Sequence, residues 1–232
     1  MSAPAVRPFR TRYILAFWLP LAATWLMMAV EGPYIAAIIA RMPDAAYNLA
    51  AYGVAFALGW LAESPIMMLL TASNALVGGR QSFLALRRFT LLLNAGVTAA
   101  LLVGVSPPVF EFLTGRLIGL PPEVARLAHL ATVMLIPWPA AIGYRRFYQG
   151  ILVRHHLTNR VAYGTVVRLA AMSITAGGLA LTTSLPGAAL GAIALSAGVL
   201  AEAAASRWMA RHVVAHLLAE TETPSIVQRD AV

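Results

Sequence analysis

Long apolar runs, each broken by a few polar residues, fill most of the chain between residues 13 and 207. A membrane-crossing helix needs about 20 mostly apolar residues, and that rule divides the chain into six. The first predicted helix covers 13–39 and is interrupted by Glu31 and Pro33; the second covers 46–77 and carries Glu63 and Pro65. FTLLLNAGVTAALLVGVSPPVF gives the third, closed by Pro107 and Pro108. LAHLATVMLIPWPAAIGYRRF gives the fourth, where Pro137 and Pro139 are expected to kink the helix. Residues 169–201 carry no charge, a run of 33 that is too long for one span, and TSLPG at 183–187 supplies the turn that divides it. The fifth helix then starts near Arg160 and the sixth ends near Arg207. A basic amphipathic stretch, SRWMARHVVAHLLAE, follows. The predicted fold class is all-α: a polytopic membrane protein, a bundle of six transmembrane helices. It comprises an N-terminal tail 1–12, one helical domain 13–219 and a disordered C-terminal tail 220–232.

Composition agrees with this division. Hydrophobic residues make up 60% of the chain and charged residues 11%, where soluble domains carry about 25% charged residues. The net charge of +8 comes from 17 arginines with no lysine, which reads as a genomic composition bias. These arginines recur between apolar runs and form no basic run interleaved with aromatics, so nucleic acid is not an expected partner. With no cysteine, disulfides, thiolate nucleophiles and cysteine metal sites are excluded. The N-terminal apolar run is longer than a signal-peptide core and no small-x-small cleavage site follows it, so it is expected to remain as the first span.

Six spans put both termini on one side. The loops and tails of that side would hold Arg7, Arg10, Arg12, Arg80, Arg87, Arg88, Arg145, Arg146, Arg154, Arg160, Arg207, Arg211 and Arg229, thirteen arginines against three (Arg41, Arg116, Arg126) on the other. Positive charge accumulates on the cytoplasmic side, so the expectation is a multi-pass protein of a bacterial inner membrane with both termini cytoplasmic.

Four ionisable residues fall inside predicted spans: Glu31, Glu63, Arg168 and Glu202. Such residues usually face a bundle interior or a water-filled cavity. Arg168 and Glu202 are equidistant from Leu185 at the centre of the turn between the fifth and sixth helices, so antiparallel packing brings them to one depth and predicts an ion pair. The alternative is that each lies near the membrane boundary and snorkels outward. Glu63 is expected at a similar depth, with Arg168 and Glu202 tuning its proton affinity. Glu31 is expected nearer the outer end of its helix. Glu-x-Pro thus occurs twice, and bent helices with a polar residue beside the bend are typical of transporter cavities. His212 and His216 are spaced as two metal ligands on a helix but lack an evident third, and a membrane-surface basic face is the simpler reading. No metal site, cofactor or catalytic motif is expected, and hence no enzyme. Gly187 and Gly191 form a GxxxG suited to close helix packing within the chain.

WLPLAATWLMMAVEGPYIAAIIARMPDAAYNLAAYGVAFALGWLAESPIMMLLTASNALV resembles the first two helices of the multidrug/oligosaccharidyl-lipid/polysaccharide exporter superfamily, which includes the multidrug and toxic compound extrusion (MATE) transporters. PWPAAIGYRRFYQGILVRHHLTNRVAYGTVVRL is similar to the end of their fourth helix, the basic loop and the fifth helix, with RRFYQGIL the more specific part. The first two helices are also similar to the progressive-ankylosis branch, whose members export anionic metabolites. The resemblance implies one six-helix lobe where family members have two. It further implies a half-size efflux transporter assembled as a homodimer or with a second half, driven by a proton or sodium gradient and carrying a small-molecule or anionic substrate. In that expectation Glu63 is the coupling carboxylate, Glu31, Glu202 and Arg168 are further candidates, and Pro33, Pro65, Pro137 and Pro139 let the helices bend. The competing expectation is a non-transporting membrane scaffold or assembly factor whose charges hold helices together.

Overall fold

The structure, a computed structural model, describes residues 11–219. The expected tail at 220–232 and most of that at 1–12 lie outside the described residues. Within them the chain is all helical, with no strand. Six segments are long and apolar enough to cross a membrane: Ile14–Ile39, Ala45–Leu76, Arg80–Gly104, Pro122–Arg154, Thr158–Thr182 and Gly187–Met209. The chain is thus a multi-pass, all-α membrane protein.

Proline acts differently from one span to the next. Helix α1 (Thr11–Ile39) runs unbroken through Pro20 and Pro33, and the Thr24 hydroxyl donates to the Pro20 carbonyl at 3.0 Å. The second span breaks into α2 (Ala45–Glu63), a tight 3-10 turn (Ser64–Ile66) and α3 (Leu69–Leu76). Pro65 has no N–H to return to the Leu61 carbonyl four residues back; the Ser64 N–H takes that carbonyl instead, tightening the turn. Helix α4 (Arg80–Gly104) follows a glycine turn held by Ser82, whose hydroxyl accepts from the N–H groups of Gly78 at 3.0 Å and Gly79 at 3.1 Å. It ends before Pro107, which opens the short α5 (Pro107–Glu111). A wide π-type turn, Phe112–Ile118, then closes on Gly119 in the left-handed region at φ 74°.

The fourth span divides into α6 (Pro122–Met134) and α7 (Pro137–Arg154), with Pro137 at the first position of α7, where a missing N–H is tolerated. Here the sequence expectation needs correction. Arg145 and Arg146 were assigned to the loop after the fourth helix, but α7 continues to Arg154 and buries both. Among the described residues the arginine asymmetry outside the interior is then eight against three.

The two broken spans run side by side in the same direction. Gly59 of α2 faces the ring of Trp138, Gly143 of α7 faces Ile66, and Gly150 faces Ser73 and the Leu70 carbonyl. Gly143 and Gly150 are two turns apart on one face of α7, so this face approaches α3 at backbone distance. Helices α8 (Thr158–Thr182) and α9 (Gly187–Met209) form an antiparallel hairpin, and a short α10 (Arg211–Ala219) follows. Helix α9 is the centre of the bundle, packed against α1, α2, α6, α7 and α8. Its small residues permit this: Gly191 meets Ile35, Ile39 and Tyr52, and Gly187 meets Ile39, Asn48 and Met42, so the GxxxG packs within the chain. Asn48 secures the same corner, accepting from the Ala188 N–H at 3.0 Å.

Candidate functional site

Charged side chains meet in the bundle interior. Glu31, Glu63, Glu202, Arg145, Arg146 and Arg168 are each between 0% and 7% exposed, three carboxylates balanced by three guanidiniums. Helical spacing explains how they converge. On α7, Arg145 and Gln149 are four apart and share a face; on α8, Thr165 and Arg168 are three apart and do the same. Both faces turn toward Glu202 of α9.

Glu202 is fully partnered. Its Oε2 accepts from Arg145 Nη1 at 2.6 Å, and its Oε1 accepts from Gln149 Nε2 at 3.0 Å and from the Thr165 hydroxyl at 3.3 Å. The Arg168–Glu202 pair expected from the helix arithmetic is present at 3.6 Å, but Arg168 gives its hydrogen bond to Glu31. Arg168 therefore bridges two carboxylates on different helices. Ion pairs thus join α7, α9, α8 and α1 in series; the snorkelling alternative gives way to this geometry, and Glu31, expected nearer the outer end of its helix, is tied to the cluster by Arg168.

Glu63 stands apart. It is the last residue of α2, immediately before the Pro65 turn. It belongs to none of the ion pairs among the described residues, and its buried Oε2 has no hydrogen-bond partner. Arg145, Arg146 and Arg168 are near enough to act on it electrostatically. Arg146 is the corresponding cation outside an ion pair: its Nη2 reaches the Met67 sulfur at 3.4 Å, and its guanidinium lies 5.7 Å from the centre of the Trp25 ring.

A cavity of about 370 Å³ opens beside these groups. Glu31, Glu63, Arg145 and Arg168 line it together with aromatic residues that include Tyr52, Trp60 and Trp138. Unpartnered buried donors exceed acceptors around it: Arg145 Nε and Nη2, Arg168 Nε and Trp138 Nε1, against Glu31 Oε1 and Glu63 Oε2. A ligand that brings acceptors on an apolar body matches this lining.

Of the four bend prolines named from sequence, Pro65 and Pro137 sit at helix breaks, whereas Pro33 and Pro139 lie within continuous helix. Pro65 is next to the cavity's carboxylate, and Trp138 follows Pro137 into the cavity wall. Sequence reasoning missed Arg145, Arg146, Gln149 and Thr165 as interior residues. The usable signal was ILV after RRFYQG, an apolar run that carries the helix past the arginines. Among the described residues, no group of three or more His, Asp or Glu side chains is placed to hold a metal ion.

Fold and site together define a multi-pass helical membrane protein with a charge-balanced interior and an aromatic cavity. Compared with protein-family models, characterised proteins and solved structures, the chain matches none.

Proposed function

We propose that the chain is a gradient-coupled membrane transporter of MATE-like type. It would act as one lobe with a second copy or a second half, and Glu63 would be the carboxylate that takes the coupling proton or sodium ion. One observation carries this reading: Glu63 is enclosed at a cavity wall with no ion-pair partner, while Glu31 and Glu202 are held by Arg168 and Arg145. Cation binding at Glu63 changes the interior from balanced to positively charged. An uncompensated charge at low dielectric is unfavourable, so occupancy of Glu63 is linked to the charge of what the cavity holds. With donors in excess, a small anion with an aromatic or other apolar body fits best.

Proteoliposomes with an imposed proton or sodium gradient test this reading, using benzenesulfonate as the anion and N-methylpyridinium as the cation for comparison. Gradient-driven uptake of the anion is expected for the wild type and its loss for Glu63→Gln, with folding intact. Unchanged coupled transport by that variant would sink the assignment of Glu63.

A second reading has its own support. The series Arg145–Glu202–Arg168–Glu31 joins four helices of the bundle, as expected of a scaffold whose charges fix helix register. Under it neither probe is transported, and only stability responds to changes in the network.

A further inference from the structure

A second recess lies away from the interior charges. Between α4 and α9 an open groove of about 800 Å³ runs along α7, reaching from Arg211 at the arginine-rich end to mid-bundle. Helix periodicity builds its walls. On α4, Leu91 and Asn94 line it and Arg87 lies one turn further along the same face; on α9, Leu200, Ala204 and Arg207 share a face, and Arg211 opens α10 at the mouth. The stretch from Leu200 to the end of α9 at Met209 spans about 14 Å at 1.5 Å per residue, close to half of a hydrocarbon core about 30 Å thick. The small side chain of Ala204 keeps the apolar length open.

The mouth is cationic and aromatic. The Arg207 guanidinium lies 5.4 Å from the centre of the Tyr148 ring, and that of Arg211 lies 4.2 Å from the centre of the Trp208 ring. Arg87 is near enough to Tyr148 to act on it electrostatically. Stacking engages the flat face of a guanidinium and leaves its N–H edge to donate. Two other arginines of this end differ: Arg154 donates to the Asn74 carbonyl at 2.8 Å, and Arg160 to that of Met209 at 2.6 Å. None of Arg87, Arg207 and Arg211 takes part in an ion pair among the described residues. The described carboxylates outside the interior, Asp44, Glu111 and Glu123, belong to the opposite end of the bundle.

We infer that this groove holds one anionic phospholipid, its phosphate among Arg87, Arg207 and Arg211 and one acyl chain along the apolar length. Basic pockets between membrane helices take anionic headgroups. A zwitterionic lipid fits the apolar length equally well, so the headgroup phosphate with its net negative charge is what selects the occupant. This site is independent of the transport reading.

Thermal denaturation in neutral detergent tests the inference with three additives: phosphatidylglycerol, phosphatidylcholine and glycerol phosphate. Phosphatidylglycerol should raise the melting temperature by several degrees more than phosphatidylcholine does, and glycerol phosphate should not raise it. The triple variant Arg87→Gln, Arg207→Gln, Arg211→Gln should lose that excess while keeping the response to phosphatidylcholine. In parallel, phosphatidylglycerol with brominated chains should quench wild-type tryptophan fluorescence with at least roughly tenfold higher apparent affinity than brominated phosphatidylcholine. That quenching component should be absent in Trp208→Phe, a comparison that does not depend on the triple variant folding. Equal effects of the two lipids, a full effect of glycerol phosphate, or an unchanged response in the triple variant overturns the inference. So does efficient cross-linking between copies through Ala204→Cys, which would place a second copy in the groove.

Discussion

At the scale of single residues, the three buried carboxylates divide by partner. Glu202 accepts three hydrogen bonds, Glu31 accepts one from Arg168, and no hydrogen bond reaches the buried Oε2 of Glu63. Removing one member of a buried pair leaves the other charge uncompensated and costs about 3–5 kcal/mol. Glu202→Ala and Arg145→Ala should therefore each lower unfolding stability by that order. The double variant should lose less than the sum, because no lone charge remains between them, with a coupling of roughly 0.5–3 kcal/mol. Glu63→Gln removes no pair and keeps the side-chain shape, so its effect on stability should stay below about 1.5 kcal/mol. Chemical or thermal denaturation of the four variants in one detergent measures all of this. Strictly additive losses at Glu202 and Arg145, or a Glu63→Gln loss as large as theirs, would show that the carboxylates do not differ in this way.

At the scale of elements, the parallel contact between the second and fourth spans rests on glycine. A methyl at Gly150 would sit 1.8 Å from the Ser73 hydroxyl and 2.4 Å from the Leu70 carbonyl oxygen. Because the second of these is backbone, α3 and α7 must separate to admit it. Overpacking of this kind costs about 1–3 kcal/mol and sometimes more. A methyl at Gly53 meets nothing within 4 Å, so Gly53→Ala should match or slightly exceed the wild type through its better helix propensity. A thermal shift comparison of Gly150→Ala with Gly53→Ala reads the difference, and equal melting temperatures would mean that the contact is looser than its geometry.

The same elements show what the sequence made legible. The six spans were readable because twenty or so apolar residues have one stable form in a bilayer. Arg168 and Glu202 were readable because a short turn fixes the register of the hairpin around it. The interior position of Arg145 and Arg146 was not. A double arginine after an apolar run reads as the end of a span, and only the packing of α7 against α9 shows that Glu202 compensates one of them. Its position in the sequence puts Glu31 nearer the outer end of its own helix. Arg168 is long enough to join it to the level of Glu202, and a count along one helix contains nothing about a neighbour's reach.

At the scale of the whole molecule, the arginines outside the interior predict an orientation. With Arg145 and Arg146 buried, eight of the described arginines remain on the side of the termini against three on the other. By the positive-inside rule that bias predicts cytoplasmic termini, and Asp44, Glu111 and Glu123 lie at the opposite end. The chain contains no cysteine, so single introduced thiols report sidedness without background. Ser184 is exposed between α8 and α9, at the arginine-poor end, and Gln81 is exposed in the first turn of α4, at the arginine-rich end. In intact spheroplasts a membrane-impermeant maleimide should label Ser184→Cys at once. It should label Gln81→Cys only after permeabilisation. The reverse pattern would invert the molecule and place the proposed lipid groove in the outer leaflet. Labelling of both thiols without permeabilisation would mean mixed insertion, in which these arginines do not set the orientation.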